Sequence, residues 1–239
     1  MNQIRDTKQE EYWNNRAKSY SKQYGLDTEF NKLKVQRKIN IVQQYIDLTG
    51  KLLEVGCGTG IYTRELSKIN SSLIAVDISQ KMLNIAATQC LLPEFLQMDA
   101  RKMNLPNNSF DIVFSAFLLQ HVHIYPVLSE MNRVLKTNGY IVALVPNILN
   151  PIHYGRARNI LYRKVFRETS HSLDFTRWQW SAILEATGFK EIVIKPISFD
   201  SPHIPMFLAK SAMYISNILE NVPIVKEFAG TLLIIGQKI

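Results

Sequence analysis

Residues 51–60 read Lys51-Leu52-Leu53-Glu54-Val55-Gly56-Cys57-Gly58-Thr59-Gly60, a short apolar run that breaks into three glycines separated by single residues. A run of this length, bounded by glycine, suits a strand buried on both faces. Glycine lets the backbone turn sharply and approach a ligand with no side chain in the way. The helix expected next offers unpaired N–H groups at its first turn. The spacing narrows the ligand. A dinucleotide-binding G-x-G-x-x-G would need glycine at position 61, which is Ile61, and the P-loop's Gly-Lys-Ser/Thr is absent.

Outward from this turn, short apolar runs recur at 72–76, 95–98, 110–117 and 139–145, with helical stretches near 60–69, 79–90 and 124–136 between them. Ser79 stands where an N-cap is expected. Lys136-Thr137-Asn138-Gly139 offers a basic last turn, then Asn and Gly for a left-handed exit. Such alternation predicts right-handed βαβ units and a doubly wound α/β sheet. Before it, residues 8–48 read as two helices broken near Gly25. After it, 176–189 reads as a helix, 191–197 and 231–238 as strands, and 198–230 as an insertion. Within the insertion Leu208, Ala212, Ile215, Leu219 and Val222 recur at helical spacing. Packing against the domain is the simplest role for that helix; a lid over a greasy substrate and a membrane-resting helix are the alternatives.

The turn's E-x-G-x-G-x-G pattern resembles motif I of the class I S-adenosylmethionine-dependent methyltransferases. Further matches follow in that family's order: Ala75-Val76-Asp77-Ile78 ending the second strand, Gln97-Met98-Asp99-Ala100 after the third, Phe110 to Ser115 as the fourth, and LSEMNRVLKTNG (128–139) as the helix and turn before the fifth. Thr137-Asn138 departs mildly from the family's Pro-Gly. The N-terminal YWNNRAKSY (12–20) resembles a segment of the small-molecule branch, near the ubiquinone/menaquinone-type methyltransferases. The resemblance implies a seven-stranded, Rossmann-like, mostly parallel sheet with a reversed hairpin at its edge. It implies one domain over 1–239: a helical arm (1–48), a cofactor core (49–146) and a substrate-side half (147–239). It also implies S-adenosylmethionine as cofactor, with S-adenosylhomocysteine as product. The cofactor residues it points to are Tyr20, Glu54, Gly56, Cys57, Gly58, Gly60, Asp77, Ile78, Met82, Asp99, Ala100 and Ser115. Asp77 would take the ribose hydroxyls, Asp99 the adenine amino group, and Tyr20 would close over the methionine end.

Charge and composition bound the acceptor. The 239 residues are 46% hydrophobic, and the net charge of +8 comes from 28 basic against 20 acidic residues. The excess sits in the arm and in Arg156, Arg158, Arg163, Lys164 and Arg167, a shorter track than a nucleic-acid groove with its stacking aromatics would want. Two cysteines make no disulfide framework and no zinc pattern, so no metal is expected. The polar opening and the lack of a long apolar stretch predict a cytoplasmic protein, open to peripheral membrane contact. Ser115-Ala116-Phe117-Leu118 stands where base-amino methylases resemble one another in an Asp/Asn-Pro-Pro-Tyr/Phe motif. Neither cysteine fits a cytosine C5 nucleophile. A small or lipid-linked acceptor is therefore expected, with RNA, or a scaffold that binds cofactor without transfer, as alternatives. The candidate acid–base residues are His121 and Tyr154, then His123 and His153, with His171 more distant. Oligomeric state stays open.

Overall fold

The computed structural model describes residues 7–24, 29–150, 175–199 and 209–239. Two helices, α1 (Thr7–Tyr24) and α2 (Glu29–Gln43), precede the sheet. Then come β1 (Leu52–Val55), α3 (Thr63–Leu66), β2 (Leu73–Asp77), α4 (Gln80–Gln89), β3 (Glu94–Gln97), β4 (Phe110–Ala116), α5 (Ile124–Val134) and β5 (Leu135–Pro146). The described chain closes with α6 (Arg177–Ala186), β6 (Phe189–Ile197), α7 (Ala209–Leu219) and β7 (Thr231–Lys238).

The seven strands form one sheet in the order β3-β2-β1-β4-β5-β7-β6. β1 to β5 pair in parallel, while β7 runs antiparallel between β5 and β6. The carboxyl ends of β1 to β5 therefore share one edge with the start of β7. Side chains alternate across the sheet, which sorts each strand's apolar residues onto two faces. Leu53, Val55, Val113 and Ile141 pack with Leu128, Met131, Trp180 and Leu184 of α5 and α6. Leu52, Ile112, Phe114 and Val142 pack with Val35, Ile39 and Val42 of α2. Burial on both sides is why these strands read as unbroken apolar runs.

Local departures from the sequence expectation have local causes. The helix expected over 60–69 shrinks to α3, because i→i−4 bonds such as Ser67 N–H to Thr63 O alternate with i→i−3 bonds such as Lys68 N–H to Glu65 O. α5 ends at Val134 rather than 136, since Leu135 turns extended and pairs with Phe110 of β4. Lys136 then meets Asp111 at 2.7 Å, and Asn138 alone takes the left-handed conformation, at φ 62°. α6 stops at Ala186, three residues short of expectation, and Gly188 (φ 87°) feeds β6; its start is fixed by a capping box between Thr176 and Gln179.

α7 is fastened to the domain, but not by the whole of the expected apolar stripe: Leu219 is half-buried, Ile215 and Val222 are exposed, and the polar Ser216 is buried. Leu208 lies outside the described residues.

Candidate cofactor and acceptor site

The glycine turn leaves β1 at the shared edge. Gly56 and Cys57 both donate backbone N–H to Val76 O, at 2.8 and 3.0 Å, which folds the turn over the end of β2. Gly56 has φ 75°, and a Cβ there would stand 2.9 to 3.0 Å from the Leu118 side chain. Gly58 has φ 55°, and a Cβ would meet nothing within 4 Å. One glycine is held by packing; the other faces open space.

Asp77 joins the two loops at this edge. Its Oδ2 accepts from Gly58 N–H at 2.8 Å and its Oδ1 from Ser79 N–H at 2.9 Å. Burial raises its pKa even against these N–H groups and that of Ile78. Ser79 caps α4 by accepting from Met82 N–H at 3.1 Å. Asp99, just past β3, is held by its own neighbour: Arg101 Nε and Nη2 lie 3.0 and 2.6 Å from its two oxygens. Ala100 sits in the turn between them. The Ser115 hydroxyl donates to Val55 O at 3.0 Å, so its buried side chain ties β4 to β1 beneath the turn.

Glu54 is buried on β1, and its Oε2 has no hydrogen-bond partner. Burial, opposed by the nearby Thr63 hydroxyl and helped by the Asp77 charge, pushes its pKa up to about 8. At neutral pH the group holds its proton, and a buried orphan oxygen is costly unless a ligand meets it. The Cys57 thiol is raised well above its ordinary value by burial and by the Asp77 and Glu54 charges, which makes it inert as a nucleophile.

The arm lies across these loops. Asn14 Oδ1 accepts from the Ser79 hydroxyl at 2.7 Å and from Lys81 N–H at 3.1 Å, so α1 supplies a second cap to α4. Gln97 Nε2 donates to Glu10 Oε1 and to Ile78 O, both at 2.9 Å. Gln9 Nε2 donates to His121 O at 2.8 Å. Trp13 meets the His121 ring edge-on at 5.1 Å and Tyr20 at 6.1 Å. Burial, with the Tyr24 and Asp77 charges behind it, pushes Tyr20 up to about 12.

His121 follows β4 in a 3₁₀ turn (Leu119–His121), facing the arm. Burial and the Arg16 charge push its pKa down to about 4, so the imidazole is neutral at pH 7. Gln120 Nε2 lies 3.4 Å from His121 Nε2, and Gln120 Oε1 is buried without a hydrogen bond. Whichever way that amide is turned, one polar atom of Gln120 is left for a ligand. Arg16 reaches the Tyr12 hydroxyl at 2.9 Å. The junction of α1 with the β4–α5 connection thus gathers one neutral imidazole, one amide, one guanidinium and three aromatic rings.

Of the twelve cofactor residues expected from sequence, Glu54, Asp77 and Ser115 stand near the ends of β1, β2 and β4, Met82 in the first turn of α4, Tyr20 on the arm, and the other seven on the connecting loops. His123 occupies the N-cap position of α5, exposed and without a side-chain capping hydrogen bond. His153, Tyr154, His171 and the basic run 156–167 lie outside the described residues. Gln9, Glu10, Trp13, Asn14, Arg16 and Gln120 escaped the sequence reading. For the residues of α1 the usable signal was Gln9, Asn14 and Asn15 among the aromatics Tyr12 and Trp13 on one helix.

Comparison with known proteins bears on the core. Residues 53–143 match the family model described as a methyltransferase domain. Over these residues the chain is similar to methyltransferase domains, and solved structures of the same fold include S-adenosylmethionine-dependent methyltransferases. The methyltransferase core is 36% identical to demethylmenaquinone methyltransferase of Staphylococcus aureus over 122 residues, 48% of this chain and 51% of that enzyme. The chain spans about half the length of the curated relatives it matches. Among solved structures, an S-adenosylmethionine-dependent methyltransferase of Thermotoga maritima superposes with a TM-score of 0.69 at 19% identity, over 97% of this chain and 99% of that one. The DhpI–SAH complex does so with 0.64 at 18% identity, over 97% and 96%. S-adenosylmethionine is the cofactor of this class, and the methyltransferase core fits it: open space at Gly58, an acid at the end of β2, and an orphan carboxyl oxygen at Glu54 suited to an ammonium group.

Proposed function

We propose that the protein transfers a methyl group from S-adenosylmethionine to a small or lipid-linked acceptor held between α1 and the β4–α5 connection. The observation that carries this is the pair of unsatisfied buried polar atoms at Glu54, beside the glycine turn, and Gln120, where the arm meets the β4–α5 connection. When bound, the cofactor supplies an electrophilic sulfonium methyl group, transferred by in-line displacement. The protein's task is then mainly orientation, and positioning at about 3–3.5 Å can supply about 7–11 kcal/mol of the barrier.

Each residue has a role that follows from its surroundings. Glu54 gives up its proton to meet a cationic amino group. Asp77, already fixed by two backbone N–H groups, uses its remaining lone pairs for the ribose hydroxyls. Asp99, aligned by Arg101, faces the adenine, with Ile78, Met82 and Ala100 around the ring. Tyr20 stays protonated and closes the methionine end. His121 is too weak a base to strip a proton by itself, but its neutral ring accepts a hydrogen bond from an acceptor hydroxyl and sets its direction. The S. aureus relative acts, by its name, on demethylmenaquinone, so an aromatic acceptor with a hydroxyl and an apolar tail is the first class to try.

The test is a screen for labelled methyl transfer over quinol-like, phenolic and amine acceptors. With the acceptor found, His121→Ala is expected to lower kcat by about 10²-fold with KM changed less, since general acid–base or orienting groups contribute on that scale. Tight cofactor binding with no transfer to any acceptor class would favour a cofactor-binding scaffold instead.

A further inference from the structure

α7 is amphipathic with its polar side turned inward. Ser216 is 3% exposed; its hydroxyl donates to Glu220 Oε1 at 2.8 Å and accepts from Phe199 N–H at 2.9 Å. Glu220 Oε1 also accepts from Ser198 N–H at 2.8 Å and pairs with Arg37 of α2 at 2.7 Å. Arg37 reaches Asn217 Oδ1 as well, at 2.7 Å. These bonds fasten the helix to α2 and to the end of β6. The opposite side carries Tyr214, Ile215, Ile218 and Val222, whose spacing places them on one helical stripe. They are 68%, 53%, 48% and 38% exposed. The chain continues the same surface chemistry into the next turn, where Ile224 is 76% exposed. Ile224 sits at φ 70°, a conformation a β-branched residue adopts only under constraint. Phe228 follows, also exposed.

We propose that α7 and the turn after it form a docking face for an anionic lipid bilayer. Three observations select a bilayer over other occupants. The composition is interfacial: Tyr214 and Phe228 lie among isoleucines, and exposed Trp178 stands next to Arg177, whose guanidinium reaches Glu227 at 3.1 Å. The charge is complementary: the two carboxylates of 209–230, Glu220 and Glu227, are ion-paired with Arg37 of α2 and Arg177 of α6, which leaves the segment's Lys210 and Lys226 in excess. The location is the sheet edge that carries the glycine turn: Asn147 Nδ2, just past β5, donates to Glu227 O and Ala229 O at 2.8 Å, and Asn150 Nδ2 donates to Phe228 O at 2.7 Å. A lipid-linked acceptor would then reach the site from the membrane. That purpose rests on the methyltransferase reading; the docking itself does not.

Vesicle sedimentation without cofactor or acceptor tests the docking. The full chain should partition onto phosphatidylserine/phosphatidylcholine vesicles and bind pure phosphatidylcholine at least about fivefold more weakly. Ile218→Asp with Ile224→Asp should lower partitioning at least about tenfold, because burying each isoleucine contributes about 1.5–3 kcal/mol. Unchanged thermal unfolding and unchanged S-adenosylmethionine binding would show that the variant is folded; should it not fold, Ile218→Gln with Ile224→Gln replaces it. Equal vesicle binding by wild type and folded variant overturns the proposal, as does no binding by wild type. A wild-type dimer in light scattering that the variant abolishes overturns it too, by assigning the face to a second copy. Cofactor binding is read separately, so failure of docking leaves the methyltransferase reading standing.

Discussion

Asp77 holds two loops and faces the proposed ribose position, so replacing it should harm cofactor binding more than folding. Each hydrogen bond to a charged group is worth about 1.5–3 kcal/mol, and Asp77→Ala should therefore weaken S-adenosylmethionine binding by about 10²-fold, measurable by calorimetry. The two glycines separate packing from ligand access. Gly56→Ala would drive a methyl group into Leu118 at a left-handed φ and should destabilise the fold by about 1–3 kcal/mol in a denaturant melt. Gly58→Ala has room for its methyl group and should lose only about 1 kcal/mol from backbone strain, yet should block cofactor binding where the Cβ enters the pocket. Glu54 gives a pH signature. Unfolded it titrates near 4.5 and folded near 8, so between these values the folded chain keeps a proton that the unfolded chain has released. Stability from this group is fully present below pH 4.5 and falls as pH rises toward 8. His121 has the opposite sign, with stability gained between about pH 4 and 6.5, so above 6.5 the Glu54 slope is left unopposed by it. From pH 6.5 to 8 the wild type should lose about 2 kcal/mol more stability than Glu54→Gln in parallel urea melts.

At the scale of elements, the arm is a latch made of amide side chains. Asn14→Ala would leave the Ser79 hydroxyl and Lys81 N–H without their partner. That loss is worth about 1–3 kcal/mol, so the amides of α1 should exchange with solvent at least about tenfold faster while those of β1 and β4 stay protected. Equal protection of α1 in the variant would mean that packing alone holds the arm. Elements with a strong local code were legible in the sequence: Ser79 before α4, the helix beginning at 176, and the apolar runs of β1 and β4. Elements set by tertiary partners were not. The end of α5 depends on Leu135 pairing with Phe110, which lies 25 positions earlier. The orientation of α7 depends on Arg37, 183 positions before Glu220, and helical periodicity alone could not say which stripe faces inward.

For the whole molecule, strand–helix alternation foretold an open α/β sheet, while the antiparallel place of β7 between β5 and β6 came only with the family resemblance. Periodicity carries no strand order. The site was legible where chemistry forces residue type, at the glycines, Asp77 and Asp99. It was illegible where roles belong to ordinary amides and rings, at Asn14, Trp13 and Gln120. All the described parts converge on one edge: glycine turn, arm and the base of α7 sit at the carboxyl ends of β1 to β5, where ligands bind in open α/β folds. The most direct experiment is calorimetric titration of the full chain with S-adenosylmethionine, S-adenosylhomocysteine and NADH in parallel, repeated for Asp77→Ala. Binding of the first two alone, weakened about 10²-fold by the substitution, is the expected result. Binding of NADH alone, or S-adenosylmethionine binding indifferent to Asp77, would contradict the assigned pocket.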